Sequence, residues 1–315
     1  MYGTPANQVG GHVSVVAAVN ANGTIDTVDG NWDERVQRRT INPATAVAGA
    51  DNLPISGYVR PPGTSSGGND VSDFSGDGYS DVLAVNGSGK LLYYPNNGLT
   101  LGAQVELGTG GWQDYLFAAA ADWSGDGHAD VLGVDKLGQL FYYPNNGNAL
   151  STRTPIGTGG WEHFLHFMAA DWSGDGYADV LGVDSTGKLW YYPHNGNGLG
   201  ARVQIGTGGW QDFRQVMAAD FSGDGYADVL GVDQFGQLWY YPHNGTGLGA
   251  RIKLGSGGWQ DYPFVRAMDF SGDGHADVLG VDKLGQLFYY PNTNNTLSTR
   301  TPIGSGGWLP YKFIL

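Results

Sequence analysis

From residue 112 to residue 160 the chain alternates short apolar runs with polar, glycine-rich breaks. The run 115–123 (YLFAAAADW) predicts an apolar strand, and the acidic stretch Asp122–Asp130 a loop. Residues 131–135 (VLGVD) predict a second short strand, Lys136-Leu137-Gly138 a turn, and 139–144 (QLFYYP) an aromatic third strand. After a turn at Asn145-Asn146-Gly147, residues 152–156 (TRTPI) predict a polar outer strand whose proline suits a sheet edge. Gly157–Gly160 crosses to the next stretch, where the pattern begins again.

The unit occurs five times at a spacing of 49 residues, without insertion or deletion. One anchor, Asp-x-Ser-Gly-Asp-Gly-x-x-Asp, starts at Asp73, Asp122, Asp171, Asp220 and Asp269; a second, Gly-Gly-Trp, ends at Trp112, Trp161, Trp210, Trp259 and Trp308. A fixed period with turn residues at fixed offsets means that each unit buries its faces only against its neighbours. Four short antiparallel strands in about 45–50 residues describe a β-propeller blade. The first unit lacks a Gly-Gly-Trp segment of its own, and the last runs on through Trp308 to 311–315 (YKFIL). The C-terminus is therefore expected to supply the missing strand, closing a ring of five and removing two sheet edges. The alternative, an open solenoid, would need distinct polar caps. The expected fold is all-β, with a small β-rich segment at 1–61, a linker at 62–69 and the five-bladed propeller at 70–315.

Composition agrees: 54 glycines, 13% aromatic residues and almost no helix-forming runs. A net charge of −14 makes nucleic acid a poor partner, because phosphate binding needs clustered Lys and Arg. No apolar run approaches the ~20 residues that would span a bilayer. The absence of cysteine fits a secreted bacterial protein, whereas Met1-Tyr2-Gly3 begins no signal peptide.

In the acidic loop, oxygens fall at positions 1, 3, 5 and 9, with a backbone carbonyl available at 7 and a glycine at the bend. These are Asp73, Ser75, Asp77, Tyr79 and Asp81 in the first unit, and Asp122, Ser124, Asp126, His128 and Asp130 in the second. The third unit has Asp171, Ser173, Asp175, Tyr177 and Asp179; the fourth Asp220, Ser222, Asp224, Tyr226 and Asp228; the fifth Asp269, Ser271, Asp273, His275 and Asp277. Hard oxygen donors at this spacing suit Ca²⁺, up to five ions as structural clips. Ala84 stands where an EF-hand has its glutamate, so position 9 must close the site. Five ions would bring the net charge from −14 to −4. Asp-rich turns solvated without metal are the plainer alternative.

Two families are resembled. The stretches IGTGGWEHFLHF (156–167), GGWQDF (208–213) and GSGGWLPYKFIL are similar to the tachylectin type of five-bladed lectin, and the acidic loops resemble the FG-GAP (integrin-α-type) repeats of many secreted bacterial proteins. The first resemblance implies binding of N-acetylated hexosamines such as N-acetylglucosamine in pockets between blades, and with it a monomeric, multivalent binder of peptidoglycan or chitin. The second implies, as another possibility, a calcium-stabilised propeller that binds proteins.

Sugars stack their C–H faces on aromatic rings while amides and carboxylates take the hydroxyls. The kit on offer is Trp112, Trp161, Trp210, Trp259 and Trp308, the tyrosine pair at 93–94 and its equivalents, and turn residues including Asn146, Asn195 and Asn244. A residue present in every unit is equally well explained by packing. The residues after the tryptophan are Gln113-Asp114, Glu162-His163, Gln211-Asp212 and Gln260-Asp261, but Leu309-Pro310 in the last copy, which marks a defective site there. Single shallow sites should be weak, and linking several adds roughly 10²–10⁴ in avidity on a polymer.

Residues 10–32 (GGHVSVVAAVNANGTIDTVDGNW) resemble the C-terminal half of a CHAP domain, a Cys/His amidase or endopeptidase of bacterial walls. The resemblance implies a base at His12, oriented by Asp29 or Asn31. Thiol catalysis needs a thiolate, and the chain has no cysteine, so no activity is expected of it as it stands. The nucleophile is expected either upstream of Met1 or lost.

Overall fold

The computed structural model describes residues 72–315, apart from Thr109, Asn197, Ser256 and Ser305, together with the strands between 14 and 54. The chain divides into two compact units, Met1–Pro61 and Pro62–Leu315. In the first, strands Ser14–Val19, Ile25–Trp32 and Arg35–Ile41 form an antiparallel sheet in sequential order, and Val47–Ala48 pairs with Leu53–Pro54. His12 lies outside the described residues. Asp29 pairs through its backbone with Ser14 and Gln37, and Asn31 falls in the irregular stretch between Asp29 and Trp32.

The second unit is a five-bladed β-propeller of four-stranded antiparallel sheets. In the second blade, strands Tyr115–Ala121, Asp130–Asp135, Leu140–Tyr143 and Thr154–Gly157 succeed one another from the axis outwards. The expected strands are all present, with ends moved by at most two residues. Pro155 sits on the outer edge, opposite Phe141, where its missing N–H disturbs no ladder. The Gly-Gly-Trp segment proves to be a turn: Trp112–Asp114 is a single 3-10 turn entered from Gly111 at φ 94°, a conformation open to glycine.

Burial explains why the second strand of each blade is apolar throughout. Val131, Leu132 and Val134 are fully buried because both faces of the sheet pack on neighbouring blades, so no polar face alternates. Gly133 is fixed by close approach: a Cβ there would lie 2.7 Å from the ring of Tyr115.

The first blade is completed by the other end of the chain. Strand Phe313–Ile314 takes the inner position beside Val82–Val85, with Phe313 opposite Val85 and Ile314 opposite Ala84. The amide of Leu315 donates to Leu83 at 2.8 Å, and that of Lys312 to Val85 at 2.7 Å. Ring closure by the C-terminal strand is thus the observed topology. Among the described residues no helix is long and apolar enough to cross a membrane.

Candidate functional site

The acidic loop leads into the second strand of each blade, and its first aspartate organises it. Asp73 accepts the amides of Gly76 at 2.7 Å and Asp77 at 3.2 Å on one oxygen, and that of Gly78 at 2.8 Å on the other. Asp81, at position 9, accepts Ser75 N–H at 2.9 Å and Asn96 N–H at 2.7 Å. Asp77, at position 5, takes the amide of Tyr79. The other four loops repeat the pattern, as Asp122 with Gly125 and Gly127 and Asp130 with Ser124 and Asn145 illustrate.

These carboxylates stand in an unfavourable field. Burial raises Asp81 to about 7; the amides of Asn96 and Ser75 pull it down, and the charges of Asp73 and Asp77 push it up again. Asp277 is likewise raised to about 7, and Asp130, Asp179 and Asp228 to about 6, with burial the first cause in each. The donor set has the hard-oxygen chemistry of a calcium loop. As it stands it is closed by N–H donors, and no group of three or more His, Asp or Glu side chains among the described residues is arranged to hold a metal ion.

The loops also link the blades. Ala129 N–H donates to the Asp73 carbonyl at 2.6 Å, one blade back; Ala178, Ala227 and Ala276 do the same to Asp122, Asp171 and Asp220. The ring at position 7 lies over the position-4 glycine of the preceding loop, as Tyr177 does over Gly125, leaving no room for a Cβ. Carboxylate, amide and ring together make one continuous girdle on one face of the propeller.

A second polar contact crosses each seam. Asn145 Nδ2 donates to the Phe74 carbonyl at 2.7 Å, 71 residues earlier, and Asn292 makes the same bond to Phe221. Where the preceding blade carries Trp instead of Phe, the residue is His. His194 stands edge-on to Trp123 with ring centroids 4.4 Å apart, and His243 meets Trp172 likewise. His194 also stacks on Tyr177, the planes 4° apart. Inspection of single units missed this match; its signal lies in Phe or Trp at position 2 of one loop and Asn or His in the next blade.

The seam tryptophans are packing residues first. Trp112, Trp161, Trp210, Trp259 and Trp308 are 5–7% exposed. Each joins two aromatic neighbours, such as Phe164 and Tyr192 around Trp161 at 5.1 and 4.7 Å. Its indole nitrogen presses on the last glycine of the preceding blade, Gly157 for Trp161. The variable residues after it serve the turn: Gln113 accepts Gly111 N–H, and Glu162 accepts Gly160 N–H.

Beside Trp161 the seam opens into a concavity of about 430 Å³. Gly157–Gly160 of one blade forms one wall, and Phe164, Tyr192, Leu199 and Arg202 of the next form the other. Asn195 lies in the exposed turn nearby and does not line it; Asn146 and Asn244 occupy the equivalent exposed turns. Arg202 lies over the Trp190 ring at 4.0 Å and was not foreseen, although arginine recurs at 153, 251 and 300. Four seams differ at one atom, and the closing one, where Tyr94 meets Tyr311, has Gln104 in place of the arginine. Tyr115 sends its hydroxyl to Tyr143 and Arg153, and Tyr262 sends its own to Tyr290 and Arg300. Phe164 and Phe213 have no hydroxyl to send, so Tyr192, which accepts from Arg202 at 3.5 Å, and Tyr241 lack that partner.

The family model described as FG-GAP-like repeat matches residues 73–133, 122–182, 171–231 and 220–280. No curated protein matches the chain. Among solved structures, a lectin of Agrocybe aegerita, described for specific recognition of non-reducing terminal N-acetylglucosamine, is 22% identical, with 93% of this chain and 80% of that one covered and a TM-score of 0.46. AofleA from Arthrobotrys oligospora is 12% identical over 94% and 86%, with a TM-score of 0.45. BBS1N, solved in complex with ARL6DN, is 11% identical over 92% and 81%, at 0.36. These likenesses add nothing to the reading of the site. The family matches run without a break from residue 73 to residue 280, and on that ground the chain belongs to the FG-GAP-like repeat family.

Proposed function

We propose that the propeller is a multivalent carbohydrate-binding module for N-acetylglucosamine-type glycans such as peptidoglycan or chitin, acting outside the cell as a monomer. The observation that carries this reading is the concavity beside Trp161, where aromatic edges, glycine backbone and a tyrosine–arginine pair converge. Apolar walls with a few placed polar groups suit a sugar ring and its acetamido substituent. Phe164 and Phe213 leave the polar pair free for a ligand, so the Trp161 and Trp210 seams are the working sites. Retention on chitin and peptidoglycan beads, with release by soluble N-acetylglucosamine oligomers, tests it. Passage through both columns without delay would overturn it.

Calcium belongs to this proposal as a stabiliser. Asp73, Ser75, Asp77 and Asp81 with the Tyr79 carbonyl, and their equivalents, would hold it, and it would supply the positive charge that the buried carboxylates lack. Burial, together with the charges of Asp73 and Asp77, raises Asp81 and supports this reading. The resemblance of residues 1–61 to a CHAP domain supports a wall-directed role, in which the propeller brings a hydrolase to its substrate.

A further inference from the structure

The five inner strands enclose an axial cavity of about 320 Å³, separate from the seams. Part of its lining keeps the 49-residue period, as Ala120, Ala169, Ala218 and Ala267 do, and part departs from it. Positions 119, 168, 217, 266 and 315 are equivalent by that period, and they read Ala, Met, Met, Arg and Leu. Packing of five like strands asks for no arginine.

Two other polar side chains in the cavity wall are spent on neighbouring strands. His166 bonds the Phe213 carbonyl at 3.0 Å. Gln215 donates to Tyr262 at 2.9 Å and accepts from Val265 at 2.6 Å. Arg266 is different. Its Nε bonds the Ile314 carbonyl and its Nη1 the Val265 carbonyl, the latter at 2.7 Å. Nη2 has no hydrogen bond among the described residues, and no Asp or Glu among them forms an ion pair with the guanidinium. The side chain is half-buried, and it lines the cavity; burial lowers its pKa to about 10. A guanidinium set among apolar side chains without a counter-charge is a ready partner for an anion that enters the cavity.

We propose that this cavity binds a compact organic anion, a carboxylate with an apolar body, its carboxylate meeting Arg266 and its body the Ala119, Met168 and Met217 walls. A single guanidinium suits one carboxylate and is too little for a phosphate dianion. The volume is about twice that of a dry ~150 Å³ cavity that takes benzene. The mouth fits the same class of ligand. Leu116 and Leu165 are exposed there at 39% and 43%, and the exposed Arg214 stands between them and Pro263 along the rim.

Calorimetry with octanoate, octan-1-ol and octylamine tests the proposal on the whole chain. Octanoate should bind once per chain and about tenfold or more tighter than octanol, and octylamine should not bind. Arg266→Met should erase the preference for octanoate. Should that variant fail to fold, Met217→Trp fills the cavity without touching the arginine's bonds and should abolish binding of both ligands. Equal affinity for octanoate and octanol, no octanoate binding up to its solubility, or octanoate binding that survives Met217→Trp would each overturn the proposal.

Discussion

The amide of Ser80 donates to the carbonyl of Asp269 at 2.9 Å, joining the first acidic loop to the last. The four other seams carry the same bond between neighbours in sequence. Here alone it spans the whole repeat, and it shares the closure with the pairing of Phe313–Ile314 against Val82–Val85.

Closure should therefore be required for a cooperative fold. Ile314 is 1% exposed, so Ile314→Asp buries an unpaired charge and should cost upwards of about 3 kcal/mol. Thermal melts and size-exclusion profiles check it; an unchanged melt would mean that the ring holds without its last strand.

The loops set a pH dependence. In EDTA, the folded protein should bind more protons than the unfolded chain between the ordinary aspartate value of 3.8 and the values of about 6 to 7 at Asp81, Asp130, Asp179, Asp228 and Asp277. Raising the pH across that window should lower the melting temperature. Added Ca²⁺ should flatten the slope and raise the melt most above pH 7. A melt indifferent to both pH and calcium would refute the calcium proposal.

Stability and glycan retention should separate at the Trp161 seam. Trp161→Ala should destabilise by about 3–5 kcal/mol, because it empties a packed aromatic triad. Arg202→Ala should leave the melt within about 1 kcal/mol and reduce retention on chitin beads. Loss of stability in the arginine variant without loss of retention would move the site elsewhere.

A hydroxyl should tune the number of working sites. Phe164→Tyr supplies the atom that joins Tyr143 to Arg153 in the preceding blade, and should lower the stoichiometry for N-acetylglucosamine measured by calorimetry. Tyr115→Phe should raise it. Unchanged stoichiometry in both variants rules out the phenylalanine seams as the working ones.

The matched residues across a seam should be energetically coupled. Trp123→Phe and His194→Asn should each destabilise, and the double variant, which installs the pair seen at Phe74 and Asn145, should recover about 1 kcal/mol of the combined loss. Strict additivity in a double-mutant cycle would show that the match has no energetic content.

The period made most of this legible. A spacing of 49 residues located every strand, because turn glycines and the apolar second strand recur at fixed offsets. It also marked the loop aspartates, though their main partners are amides, which no side-chain pattern displays. Asn145 and His194 escaped for a different reason. Reading one unit at a time compares equivalent residues, whereas each of these side chains answers to a residue 71 positions earlier. Arg266 escaped because it lies in the inner strand, where sequence variation reads as noise until five strands are brought around one axis.

The Phe–Asn and Trp–His matches also bear on how such a ring can change over time. A 49-residue unit can be duplicated or exchanged without disturbing a single strand pairing, so blades look like interchangeable parts. They are not, because each unit carries one half of two different matches. A transplanted blade fits only between neighbours that hold the complementary halves. What recombination must keep intact is the joint between two units, and the lineage of this protein should be traced joint by joint.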